Sequence, residues 1–124
     1  MVESFWALPD AADIRTPLGI LREQAATLTQ QTQGVLVGVA EARNDGAELV
    51  VTLDVNVPGL NDYRYRILTY RQPIELYPGR LVVVDSDWKA IANEAEFVAA
   101  VRSVLSSDRV KNILGSLRAQ VSYA

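Results

Sequence analysis

Between Leu49 and Val57 the chain alternates: Leu49, Val51, Leu53, Val55 and Val57 are apolar, and of Glu48, Val50, Thr52, Asp54 and Asn56 between them only Val50 is not polar. A period of two puts one set on each side of an extended chain, so this segment is expected to be a half-buried strand. The run from Val35 to Arg43 is similar, and the "NDG" that follows it supplies residues tolerant of positive φ, as a tight hairpin requires. Upstream the period lengthens. In "TPLGILREQAATLTQQTQG", Leu18, Leu21, Ala25 and Leu28 recur at steps of three and four, which predicts a helix over 16–33. Thr16 is its N-cap, Pro17 its first residue, and Gly34 its left-handed stop.

Helical spacing returns in the last third. "NEAEFVAAVRSVLSS" opens with Asn93 as N-cap and Glu96 three residues later, a capping-box-like pair, and is apolar at Phe97, Val98, Val101, Val104 and Leu105. "SDRVKNILGSLRAQV" follows with Val110, Ile113, Leu114 and Leu117 after the cap candidate Ser107, so two helices are expected over 93–121, meeting near "SSD".

The middle of the chain is harder to read. "NDYRYRILTYRQPIELYP" gathers Tyr63, Tyr65, Tyr70 and Tyr77 with Arg64, Arg66 and Arg71. Strict alternation from Tyr63 puts Tyr63, Tyr65, Ile67 and Thr69 on one side and Arg64, Arg66, Leu68 and Tyr70 on the other, leaving both sides mixed. Pro73 cannot donate to a ladder and should end pairing. "YPGR" reads as a type II turn with Pro78 second and Gly79 third, joining an "IELY" strand to an antiparallel "RLVVVD" strand.

Short turns between successive strands imply an antiparallel sheet, since parallel strands need long crossovers. The expected fold is therefore one α+β domain over 1–124: an arm over 1–15, a helix, a four-stranded antiparallel sheet of hairpins or a meander over 35–85, and two C-terminal helices packed on one sheet face. Phe5 and Trp6, ahead of the first cap, are expected to staple onto that helix or the core, and Trp88 to close over the core.

Composition changes the picture by subtraction. Hydrophobic residues make up 49% and charged residues 22%, ordinary for a chain that folds unaided. Cysteine and histidine are both absent, which removes thiolate nucleophiles, disulfides, the commonest metal ligands and the side chain best suited to proton transfer near neutral pH. Neither a Walker A nor a G-x-G-x-x-G loop occurs. No basic, apolar leader opens the chain and no apolar run is long enough for a membrane helix, so a cytoplasmic location is expected. Twelve basic against fifteen acidic side chains argue against duplex nucleic acid.

One stretch suggests catalysis. "LVVVDSDWK" resembles, over its nine residues, the first motif of haloacid-dehalogenase-like phosphatases and the metal-binding DxD of some glycosyltransferases, which would make Asp85 and Asp87 ligands for Mg²⁺ or Mn²⁺. Those enzymes set the motif in a large α/β domain, whereas here two helices follow. A loop with no metal and no cofactor is the expectation.

The tyrosines and arginines are the stronger functional signal. Tyr offers large contact area at low entropic cost and Arg a planar fork, and both are enriched at interface hot spots. From Asn61 to Arg80 there are four Arg against Asp62 and Glu75, a local balance of +2 in a chain of −3. A bland alternative is that a cross-strand Arg pairs with Glu48 or Asp54. The overall build resembles bacterial secretion chaperones and toxin-neutralising immunity proteins in architecture, with no shared motif. The expected function is thus a non-catalytic bacterial protein-binding module, a chaperone-like or immunity-like adaptor, with a homodimer as an expected assembly. Its partner-binding residues would be Tyr63, Arg64, Tyr65, Arg66, Tyr70, Arg71, Tyr77 and Trp88. A small-molecule or single-stranded nucleic-acid binder on the same face is the alternative, and a metal-dependent enzyme at Asp85 and Asp87 a third. Replacing Arg64 and Arg66 together by Ala is expected to weaken partner binding with little change in melting temperature.

Overall fold

A computed structural model describes residues 2–8, 14–83 and 87–122. Its first helix, α1 (Pro17–Gln31), begins where Thr16 Oγ1 accepts the Gly19 N–H at 2.9 Å, and ends with Gln33 and Gly34 both at positive φ. β1 (Val37–Asp45) and β2 (Glu48–Val57) form a hairpin with Asp45 opposite Glu48. Gly46, at φ 64°, takes the first of the two loop positions, as type II′ hairpins require. A 3-10 turn over Pro58–Leu60 and two left-handed residues, Asn61 and Asp62, lead into β3 (Tyr63–Gln72).

Pro73 ends β3 as expected, but the segment after it departs from the sequence reading. "IELY" is not a strand. The chain turns there, with Leu76 at φ 78°, a cis peptide joins Tyr77 to Pro78, and Gly79 is not among the positive-φ residues, so the type II turn is not formed. β4 (Gly79–Val83) instead pairs back onto β3 and forward onto β5 (Lys89–Ile91). The sheet is an antiparallel meander of five strands in the order β1-β2-β3-β4-β5, one more than expected. Three residues of β5 are too few to print a period.

α2 (Glu94–Leu105) and α3 (Asp108–Ser122) follow. Asn93 Oδ1 accepts the Glu96 N–H at 3.0 Å and the Glu96 carboxylate accepts the Ala92 N–H at 3.1 Å, so the capping pair forms. Ser107 starts α3, with its Oγ accepting the Val110 N–H at 3.3 Å.

All three helices lie on one side of the sheet. Gly38 lets α1 sit directly on β1, since a Cβ there would overlap the Ala25 backbone. Leu21, Leu36, Val55, Val57, Leu68 and Phe97 are wholly buried between the layers. α1 also blunts the edge of β1: Thr29 Oγ1 accepts the Gly38 N–H at 2.9 Å, and the Thr32 hydroxyl accepts from Leu36 N–H and donates to Leu36 C=O. Three aromatic residues expected to pack on the core do not join it. Phe5 and Trp6 are 92% and 82% exposed and form no staple; Pro17, buried at the first turn, already covers that end of α1. Trp88 is 59% exposed and does not close over the core.

Candidate functional site

Alternation fails once in β3, and that break decides where the tyrosines and arginines go. Leu53 faces Leu68 whereas Asp54 faces Arg66, so Ile67 is an extra residue in a β-bulge. Beyond a bulge the two-residue period restarts out of phase. Tyr63 and Tyr65, opposite Val57 and Val55, therefore share the helix-covered side with Leu68 and Tyr70, opposite Leu53 and Val51. Arg64, Arg66, Thr69 and Arg71 share the other side, opposite Asn56, Asp54, Thr52 and Val50. The mixed faces of the sequence reading are resolved into an aromatic one and a basic one.

On the helix side the tyrosines have separate fates. Tyr70 is fully buried, its ring 4.8 Å from that of Phe97 in an edge-to-face contact, and its hydroxyl donates to the Leu76 carbonyl at 2.9 Å. That bond and the Leu76 N–H to Pro73 carbonyl bond, 3.2 Å, hold the left-handed turn at Leu76. Gly79 is required beneath it, because a Cβ would run into the Tyr70 ring. Tyr77 is half-buried against Phe97 at 6.2 Å, and its hydroxyl has no hydrogen-bond partner among the described residues. Burial pushes the Tyr77 phenol up to about 12, with the Glu94 charge adding and Arg15 opposing, and burial raises Tyr70 further. Tyr63, half exposed, and Tyr65 border a shallow open groove against Ile113 and Leu117 of α3.

The other side of the sheet is covered by no described helix, yet its central side chains are buried. Val50, Thr52 and Asp54 are 0%, 5% and 1% exposed, and Val50 stands apart from the helix-side core. For Asp54 the cover is a pair of long side chains from the neighbouring strand, Arg64 and Arg66. Arg66 Nε donates to Asp54 Oδ1 at 3.0 Å and its Nη2 to Oδ2 at 3.4 Å, a two-pronged pair, while Arg64 lies 3.7 Å from both Asp54 and Glu41. The hydrogen bond to Asp54 holds the Arg66 guanidinium above its ordinary pKa against the opposing cost of desolvation. Arg71 meets Asp45 at 3.0 Å and Glu48 at 3.7 Å, and Arg80 meets Glu48 at 3.1 Å. The pairing with Asp54 and Glu48 foreseen from sequence is therefore present, extended by Arg80, Asp45 and Glu41. Because buried Asp54 is paired by both Arg64 and Arg66, their joint removal is now expected to cost stability, in place of the small change in melting temperature expected from sequence.

A second feature left no mark in the sequence. Among α1, α2 and α3 lies a cavity of about 490 Å³ floored by Leu53 and Ile67, walled by Leu28, Val98 and Leu105, and lined also by the polar Gln24, Thr27, Gln31 and Ser106. Arg15 and Arg102 flank it; Arg15 pairs with Glu23 at 2.9 Å, and Arg102 makes no ion pair among the described residues.

Of the acids considered for metal binding, Asp85 lies outside the described residues and Asp87 is exposed. Among the described residues no group of three or more acids could hold a metal ion, and no helix is long and apolar enough to cross a membrane. No protein-family model, curated protein or solved structure matches the chain.

Proposed function

We propose that this chain is a non-catalytic protein-binding module, an adaptor of the chaperone or immunity kind working in the cytoplasm, that recognises an acid-bearing partner through the uncovered face of its sheet. The observation carrying this reading is the arginine array: Arg64, Arg66, Arg71 and Arg80 are held by carboxylates 3.0–3.7 Å away across the strand surface. Each guanidinium has five N–H donors and spends only some of them internally. Side chains pinned before association lose less entropy on binding, which favours a protein interface built on Arg. Trp88, 59% exposed beside β5, extends the surface, whereas Tyr63, Tyr65, Tyr70 and Tyr77 lie toward the helix side and not on this face.

The separation of aromatics from arginines weighs against single-stranded nucleic acid, which binds where stacking platforms and a basic groove coincide. The test uses Arg71→Ala with Arg80→Ala, because these residues pair with the partly exposed Glu48 and Asp45 and not with buried Asp54. Affinity capture from the native cell extract should recover a protein with the wild type and lose it with the double variant, at salt concentrations that strip phosphate polymers. Identical captures by the two proteins would overturn the proposal.

A further inference from the structure

The chain bares a run of apolar side chains near its N-terminus and holds a cavity with an apolar floor and a partly polar rim among its helices. Val2, Phe5, Trp6 and Leu8 are 93%, 92%, 82% and 82% exposed, on an extended arm whose one described hydrogen bond joins Trp6 N–H to Ser4 Oγ. Scattered exposed apolar residues are ordinary, but four within seven residues, two of them aromatic, form a contiguous strip of the sort that marks an interaction segment. The cavity between α1 and α2 offers what the strip lacks: an apolar floor at Leu53 and Ile67, and two guanidinium groups, Arg15 and Arg102, at its rim.

We propose that the arm of one molecule lays Phe5, Trp6 and Leu8 into the α1–α2 cavity of a second copy of the chain, and that the second copy's arm enters the first in return. Charge matches as well as shape. Glu3 is the arm's only charged side chain over residues 2–8, and Arg102 is a cation with no ion-pair partner among the described residues. Size also fits a pair of exchanged arms. Phe and Trp bury roughly 150–250 Å² each, so two arms and the two surfaces they cover reach about the 1,000 Å² that a stable interface needs.

The test places Trp88→Phe in the background, so that Trp6 is the single tryptophan and reports the arm. Across a concentration series, sedimentation equilibrium should show a mass rising from 13.6 kDa toward twice that value, with a blue shift of Trp6 emission at the same midpoint. Phe5→Ser with Leu8→Ser changes only exposed side chains, so it should fold normally while raising the dissociation constant by ~100-fold. Leu105→Lys, in the cavity wall, should do the same. Mixing those two defective proteins pairs an intact arm with an intact cavity and should restore association and the blue shift. A protein that stays monomeric throughout, whether Trp6 is blue-shifted by its own cavity or solvent-exposed, overturns the proposal. So does a dimer that survives Phe5→Ser with Leu8→Ser, which would place the contact elsewhere.

Discussion

Removing Arg64 and Arg66 together by Ala should destabilise the protein by about 3 kcal/mol, because it strands a buried carboxylate. Asp54 is 1% exposed and its oxygens meet Arg66 at 3.0 and 3.4 Å and Arg64 at 3.7 Å. Breaking a buried pair by deleting one partner costs roughly 3–5 kcal/mol, but the arginines here are about half exposed, and water entering their vacated space lowers that figure. Arg66→Ala alone keeps Arg64 beside the carboxylate and should cost about 1.5 kcal/mol, the worth of a charged hydrogen bond. With an unfolding entropy of ~2.1 cal/mol/K per residue, each kcal/mol moves Tm by about 4 °C in a chain of 124 residues, so the double variant should melt about 11 °C lower. Adding Asp54→Val removes the stranded charge with a side chain that suits a strand, and should bring stability back to within about 1 kcal/mol of wild type. Urea unfolding followed by circular dichroism measures all four proteins, with equal slopes confirming that the native states are comparable. A double variant within about 0.5 kcal/mol of wild type, or a triple variant no better than the double, refutes the assignment of the arginines to the fold.

Three further outcomes follow from the packing. Gly38→Ala should cost about 3 kcal/mol or more in urea unfolding, since the added Cβ meets the Ala25 backbone, which cannot yield as a flexible side chain would. Gln72→Met should be neutral or stabilising by about 1 kcal/mol, because Gln72 is buried and its Oε1 finds no donor among the described residues. Alkaline pH should weaken the fold through Tyr70 and Tyr77: their phenols titrate higher in the native chain than in the unfolded one, so stability is complete below pH 10 and falls as pH rises through 10 toward 12, where Tyr77 ionises. Melting temperature against pH checks this, and Tyr77→Phe should make the alkaline decline shallower.

Much of this architecture is legible in the sequence. The caps at Thr16 and Asn93, the alternation of β2 and the stop at Pro73 are local signals, and each works through the residue's own backbone or one turn of chain. Where the reading failed, the missing information was not local. "IELY" has the composition of a strand, yet Tyr70 reaching the Leu76 carbonyl makes it a turn, and that bond spans six residues and a change of direction. Trp88 and Phe5 are apolar, but nothing in their neighbourhoods says whether the core still has room for them.

The candidate site shows the same division. Residue types alone made Tyr and Arg in one short stretch a signal for recognition, and the want of imidazole and thiol turned attention from catalysis to binding. Which side each residue faces depended on the single bulge at Ile67, set by how β2 and β3 pair, and a one-residue slip is invisible to a period read from one strand. The cavity, likewise, is lined by side chains from α1, β2, β3, α2 and α3, segments far apart in the chain, so no local pattern could announce it. Sequence determined which segments become helix or strand and which chemistries are missing, because those follow from side chains and near neighbours. Tertiary structure alone decided which surfaces are buried, paired or bare, because that depends on register and packing between segments far apart in the chain.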